Sequence, residues 1–464
     1  MIYRGINHAN VLIISNASSS LSRDVADMYR TLRGLGQHEL SMPMPMSATM
    51  TWAQARNVVL AVNDYIHSHD ISAVIVSADV PCGVVMPYVV KIAVSTISLE
   101  NLLSWAWYVG EYGLDTYAQR AVGYEAAIMD APYRLTSLQE TPYDILHKTT
   151  RETETVTGYR DLGYGSELQI NGSWQAFSTL QQNYYLMANR PVAIQPQPAY
   201  KRLPFGRIGF GRRHTWLPAD TLAGSQRMVD DAIAAEQSSL PISSHIVHVA
   251  ATTLTGSFPP YDDLAGVILR DAGYVVRYLG SGVPGVTYDY SYPSPPPELK
   301  QLHGYLGLAP NLGESAFASA ANRFAYQQGA WVIGGLSFGL SEWGVRALVD
   351  GACSAIGTVF EPYSDSLMQP TWTAEKLVSG QSMAEIAATA NYGNDYTWQL
   401  SAWGDPLYIP HPIYGLSDGE LSTISVVTPD RTSALSTPVR AATLTTEPLQ
   451  AANITPARTA TWRS

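Results

Sequence analysis

Charge is scarce in this sequence. Only 14% of its 464 residues are Asp, Glu, Lys or Arg, against about 25% in an average soluble domain. A surface that poor in charge is either built from Ser, Thr, Asn and Tyr or partly hidden against other subunits. With 28 Tyr and 11 Trp, the second reading is favoured, because those residues concentrate at interfaces. The charge that is present is acidic, a formal net of −11. That argues against a nucleic-acid partner, since phosphate backbones need a basic footprint. Cysteine is nearly absent as well: Cys82 and Cys353 are the two in the chain, too few and too far apart for a disulfide framework. No apolar run is long enough to cross a bilayer. The first residues, MIYRGINHANVLIISN, lack the basic region, apolar core and small-residue cleavage site of a signal peptide. The expected location is therefore a cytoplasmic assembly or a larger particle such as a virion.

Cofactor and metal motifs are also missing. Gly280, Gly282 and Gly285 have the spacing of a dinucleotide glycine loop. Pro284 and the following VTYDYSYPSPPP leave no helix to receive a pyrophosphate, so no cofactor is expected. His67 and His69 stand at the end of an expected helix without a third ligand nearby. His245 and His248 are three apart on an expected strand and would face opposite sides. No metal is expected.

What is present centres on Gly329–Tyr363, GAWVIGGLSFGLSEWGVRALVDGACSAIGTVFEPY. Ala330–Leu336 is a short, uncharged, partly β-branched run, as a buried strand requires. A break at Ser337, Gly339 and Ser341 follows. Trp343, Ala347, Leu348 and Ala352 then recur at helical spacing, with Glu342, Arg346 and Asp350 opposite. Cys353–Phe360 is a second apolar run. Strand, helix and strand in this order make a βαβ unit with parallel strands. Ligands in such sheets sit beyond the carboxyl ends of the strands, so Leu336–Ser341 is the corner where chemistry is expected.

The same alternation runs along most of the chain. Val11–Ser15 and Ile71–Ser77 read as strands, and helices are expected from Leu21 to Gly34 and after Thr51. Thr96–Val109 reads as a helix with a Trp-rich face. From about 110 to 200 the pattern blurs into polar and aromatic residues with some strand-like alternation, an insertion on the sheet. Order returns with a strand at Arg207–Phe210, a helix opened by Pro218 and Asp220, a strand at His245–Ala250, a helix at Asp262–Ala272 and a strand at Tyr274–Leu279. Leu299–Leu308 carries a His303-Gly304 pair that enters a strand, YLGLA, and Ser315–Tyr326 reads as a helix. Thr373–Leu377 and Ser382–Ala390 are short helices, and Trp398–Trp403 an edge strand. The domain plan is an α/β body over 1–414 and a Ser/Thr/Pro-rich arm over 415–464. Composition alone would leave that arm disordered. Ser422–Val427 and Thr443–Thr446 have the composition to add as strands to a neighbour's sheet, with Ile424, Val426, Val427 and Leu444 as the assembly residues.

Five blocks carry a resemblance: NVLIISN (10–16), SADVPCGV (77–84), STISLENLL (95–103), GACSAIGTVFEPY (351–363) and WQLSAWGDPLY (398–408). Together they resemble an uncharacterised bacterial family that is similar to gingipain-type cysteine peptidases of the caspase-like fold. The resemblance implies a three-layer α/β sandwich with a mostly parallel sheet. It also implies a dyad, a His in His-Gly at the end of one strand and a Cys nucleophile at the end of the next. His303-Gly304 fits the first position, and Cys353 lies fifty residues downstream, a caspase-type spacing. The next strand after His303, however, ends in Gly334-Gly335-Leu336-Ser337, without a cysteine. Cys353 comes one strand too late and reads as a small buried hydrophobe. Cys82 precedes the histidine, in the wrong order, and Ser337 occupies the nucleophile corner. The expectation is a peptidase-like scaffold without its nucleophile: a structural subunit that assembles with copies of itself, or with other virion subunits as well, such as a phage tail protein. The alternative is a cysteine peptidase using His303 with Cys353 or Ser337.

Overall fold

The computed structural model describes residues 6–90, 94–104, 106, 143–147, 153–161, 166–176, 184–185, 203–211, 220–238, 240–252, 264–281, 287–289, 296–307, 324–334, 340–359, 370–389 and 400–411. Ser337 and the whole arm over 415–464, with Ile424, Val426, Val427 and Leu444, lie outside the described residues.

The first strand, β1 (Val11–Asn16), is followed by helix α1 (Ser20–Arg33). Ser19 accepts a hydrogen bond from the Ser22 amide and so caps the helix; Gly34, at φ 61°, closes it in the left-handed region. β2 (Glu39–Met42) and β3 (Thr49–Thr51) lead to α2 (Trp52–Ser68), which opens with a reciprocal capping box between Thr51 and Gln54. β4 (Ala73–Val76), β5 (Gly83–Val90) and β6 (Val94–Ser98) precede the short α3 (Leu99–Ser104). The expected helix from Thr96 is thus shorter at its start: β6 pairs antiparallel with β5 through Thr96, Ile97 and Ser98. Its β-branched residues are held by that ladder, and the helix begins only at Leu99.

Between residues 143 and 185 lie β7 (Tyr143–His147), β8 (Thr153–Asp161), β9 (Ser166–Ile170), β10 (Ser173–Ala176) and β11 (Tyr184–Tyr185). They form a five-stranded sheet of their own, ordered β10-β9-β8-β7-β11 and antiparallel throughout. The β9–β10 connection is Asn171-Gly172, with both residues at positive φ, 50° and 79°. That is the two-residue turn whose twist matches a hairpin.

The chain re-enters the main sheet as β12 (Phe205–Ile208) and continues through α4 (Leu222–Glu236), β13 (Ile246–Thr252), α5 (Leu264–Asp271), β14 (Val275–Ser281), β15 (Gln301–Gly307) and β16 (Ala325–Gly334). Ala325 and Tyr326, expected to close a helix, instead begin β16, because they pair with Gln301 and Leu302 of β15. A π-helical turn at Leu340–Gly344 runs into α6 (Val345–Asp350), then β17 (Ser354–Thr358), α7 (Pro370–Val378), α8 (Met383–Thr389) and β18 (Leu400–Gly404).

The main sheet has ten strands in the order β14-β13-β15-β16-β17-β18-β12-β4-β1-β2. Every neighbouring pair is parallel except β17–β18, which is antiparallel. The sheet is therefore two five-stranded parallel halves joined by their last strands. Counted in chain order within each half, β1, β2, β4, β12 and β18 stand 2-1-3-4-5, and so do β13 to β17. The second half is nested inside the first, between its fourth and fifth strands. Trp398–Trp403 was expected at an edge, but β18 is central. It is buried along its whole length, since each side has a partner.

Helices cover both faces. Leu12 and Ile14 of β1 pack with α2 and α3 residues such as Val59 and Leu102. Val11 and Ile13 pack with Val25, Ala26 and Tyr29 of α1. In the other half, Val247, Val249 and Ile333 face α5 and α7, while Ala330, Val332 and Ala355 face the Leu340–Leu348 segment. This is an α/β sandwich of three layers, and burial on both faces explains why its strands read as continuous apolar runs.

Candidate functional site

The carboxyl ends of β15 and β16 are Gly307 and Gly334, which stand side by side in the ladder. No histidine or cysteine occupies either. His303 is the third residue of β15, on the amino-terminal side of the strand. Its ring lies beside the start of β13: the Ile246 amide donates to His303 Nδ1 at 3.0 Å, and the His245 ring stacks on it with centroids 4.7 Å apart. Burial, and secondly the neighbouring His245, push the His303 pKa down to about 4. At neutral pH the ring is therefore uncharged, and its Nδ1 lone pair is already engaged.

Cys353 directly precedes β17, so it too lies at the amino-terminal end of its strand. The side chain is wholly buried, and its Sγ donates to the Ala330 carbonyl at 3.2 Å. Burial, and secondly the Asp405 carboxylate, raise its thiol well above the ordinary value. A nucleophilic cysteine needs the opposite shift. Strand β16 separates β15 from β17, two inter-strand spacings or about 10 Å. His303 and Cys353 are thus on separate strands, each with its own backbone partner, and neither lies where the resemblance puts the dyad. Of the corner expected to carry chemistry, Leu340 and Ser341 belong to the Leu340–Gly344 π-turn, and Ser337 falls outside the described residues. Cys82 is likewise buried, with Sγ donating to the Ala48 carbonyl at 3.2 Å.

Polar residues concentrate instead at the carboxyl ends of β1 and β4, the point where strand order reverses in the first half. Asn16 ends β1, and its Oδ1 accepts from the Ser18 and Met44 amides at 3.0 Å each. Its Nδ2 donates to the Asp79 carbonyl at 3.0 Å. Asp79 holds a left-handed φ of 57°, and its carboxylate accepts from Ser19 Oγ at 2.7 Å. Under this loop lies Arg207 of β12, fully buried. It donates to Glu100 Oε1 at 2.5 Å, to the Val80 carbonyl at 2.5 Å and to the Pro81 carbonyl at 3.0 Å. Ser98 Oγ donates to the other Glu100 oxygen at 2.8 Å. The arrangement fixes the 77–82 loop; its donors and acceptors are spent on one another rather than presented to a ligand.

A second network ties the halves together. Asp405, just after β18, accepts from Tyr29 Oη at 2.8 Å and from Arg33 Nε at 2.9 Å. Arg33 also pairs with Glu236 at 2.6 Å, and Tyr408 Oη donates to the Gly329 carbonyl at 2.7 Å. Burial alone would lower the Arg33 pKa, but the Asp405 and Glu236 carboxylates hold it above its ordinary value. The WGDPLY block is thus a junction of α1, α4, β16 and β18. Sequence reasoning passed over Arg207, Glu100 and Asp405. The available signals were an arginine inside an apolar strand and an aspartate locked between Gly404 and Pro406. Asn171-Gly172 was an equally legible hairpin signal.

Among the described residues, no group of three or more His, Cys, Asp or Glu side chains is arranged to hold a metal ion. His67 and His69 each contact a backbone carbonyl of their own helix, at 2.8 and 3.0 Å. His248 is buried against the Gln301 carbonyl at 2.9 Å, on separate partners from His245. No described helix is long and apolar enough to cross a membrane.

No protein-family model matches the chain, and no curated protein sequence matches it. Among solved structures, the Arg-specific cysteine proteinase gingipain R is similar with a TM-score of 0.41 and 11% identity, over 88% of this chain and 80% of that one. A second structure, described as a protease, is similar with a TM-score of 0.41 and 10% identity, over 88% and 79%. The likeness is distant and one of fold alone.

Proposed function

We propose that this chain is a non-catalytic structural subunit, a peptidase-like scaffold that assembles with copies of itself into a large particle of the kind a phage tail represents. The observation that carries the non-catalytic part is the separation of His303 from Cys353 by an intervening strand. The thiol is wholly buried and pushed away from its thiolate form. Self-assembly draws its support from composition: few charges, many tyrosines and tryptophans. The segment over 415–464 is the proposed arm, with Ile424, Val426, Val427 and Leu444 adding to a neighbour's sheet.

Two measurements test the reading. An activity-based thiol probe applied to the folded chain should leave Cys353 unlabelled. Labelling and peptide cleavage that both vanish in Cys353→Ala would establish the peptidase alternative instead. In sedimentation, the full chain should form oligomers that are lost on removing 415–464 while the circular dichroism of the body is kept. A full chain that sediments as a monomer at micromolar concentration refutes the assembly role.

A further inference from the structure

Three histidines meet at the amino-terminal end of β13 and β15, where the last described residues also lie. His245 directly precedes β13 and His303 is the third residue of β15; their rings stack with centroids 4.7 Å apart. Tyr274, buried just ahead of β14, links them to the third. Its ring lies 6.3 Å from that of His245 and 5.4 Å from that of His411. His411 Nδ1 is 2.9 Å from Tyr274 Oη, which also donates to the Pro410 carbonyl at 3.3 Å. One residue upstream the chain has a different anchor, the Ile409 amide donating to Glu236 Oε1 at 2.9 Å. Pro410 and His411 are tied to the body through Tyr274.

This arrangement suits neutral imidazoles and resists charged ones. A neutral imidazole has one N–H and one lone pair. The His303 lone pair is on Nδ1, where the Ile246 amide already donates. A further proton can enter only by displacing that amide, which then loses its acceptor. Burial, and secondly His245, push both His303 and His411 down to about 4, and burial lowers His245. Each proton therefore makes the next less welcome. The charged groups on the surrounding elements are Arg270 and Asp271 at the end of α5, Lys300 ahead of β15, the Arg277–Asp289 pair beside β14, Glu375 and Lys376 on α7, and Glu236, engaged by Arg33 and the Ile409 amide. Among the described residues, none of them hydrogen-bonds or ion-pairs with the three rings.

We propose that His245, His303 and His411 form an acid-sensitive latch, holding Pro410–His411 on the body at neutral pH and releasing it as the rings take up protons. The segment 415–464 follows His411 by a few residues, so unlatching frees its root. The bearing of this on assembly rests on the reading above; the latch itself does not. Its hold is complete above pH 6.5 and is lost as pH falls toward 4. A ring at about 4 when latched and 6.5 when free favours release roughly thirtyfold more at pH 5 than at pH 7.5.

Hydrogen–deuterium exchange on the full chain at those two pH values, corrected for intrinsic rates, tests it. The fragments carrying the Ile246 and Ile409 amides should lose at least tenfold in protection at pH 5, while β1 keeps its own. In the double variant His303→Asn with His411→Asn, the Asn oxygen takes the place of Nδ1 as acceptor but cannot be charged, and the loss should disappear. His411→Asn alone should remove it at Ile409. Wild-type protection equal at both pH values overturns the latch, as does a loss equally large in the variants. A loss in β1 as well also overturns it, as general acid unfolding. Sedimentation at the same two pH values separates the two readings: a chain monomeric at pH 7.5 refutes assembly and leaves the latch to be decided by exchange.

Discussion

The buried Arg207–Glu100 pair offers the sharpest test of how the first half is held. Both side chains are fully inaccessible, and the guanidinium sits 5.8 Å from the Trp403 ring centroid. Glu100→Gln keeps size and hydrogen-bonding capacity but leaves a positive charge in the interior without its paired carboxylate. Breaking a buried pair from one side costs about 3–5 kcal/mol, because the remaining charge stays desolvated. The Val80 and Pro81 carbonyls still accept from Arg207 and place the loss toward the lower end, about 3 kcal/mol. Removing both partners is different: Arg207→Met with Glu100→Leu leaves apolar groups of similar volume and no stranded charge. The double variant should therefore be more stable than Glu100→Gln alone, losing mainly the tie to the 77–82 loop. Urea unfolding followed by near-ultraviolet circular dichroism gives all the free energies needed. A Glu100→Gln loss below about 1 kcal/mol, the scale of an exposed pair, would refute the reasoning. So would a double variant less stable than the single.

Two further outcomes follow from other parts of the fold. Gly404 has φ 97°, and an added Cβ would stand 2.3 Å from the Cys353 carbonyl oxygen. Gly404→Ala should therefore cost more than the roughly 1 kcal/mol of an ordinary strained backbone position, read as a lowered melting temperature; an unchanged melt refutes it. Burial pushes the His248 pKa down to about 4 from 6.5, so between those values the unfolded chain binds a proton that the folded chain does not. Its contribution is present above pH 6.5 and is lost as pH falls toward 4, by up to about 3 kcal/mol. Asp220, raised to about 6 mainly by burial, works in the opposite sense between 6 and 3.8. The measurement is accordingly the difference between wild type and His248→Gln at pH 7 and pH 4.5. The wild type should lose more stability on acidification, and equal losses would exclude His248 as the cause.

Local order was legible because it has local causes. The Ser19 cap, the Gly34 stop and the Thr51–Gln54 box are each decided within a few residues, and they lie where the sequence puts them. The parallel pairing of β16 with β17 followed from the βαβ pattern. At 96–98 and 325–326, helical spacing misled, because a neighbouring strand supplied a ladder that spacing cannot register.

The amino-acid sequence by itself determined the alternation of apolar strands and amphipathic helices, and with it the class of fold. It also placed Gly335, Leu336 and Ser337, and no cysteine, directly after Gly334. Tertiary structure alone decided that β18 is central, that two 2-1-3-4-5 halves are nested, and that His303 sits at the amino-terminal side of its strand. It also brought Arg207 to Glu100 and Arg33 to Asp405. The reason is range. Periodicity and capping are set within one or two turns of chain, whereas strand order and the pairing of buried charges are settled by which distant segments share the least exposed apolar surface.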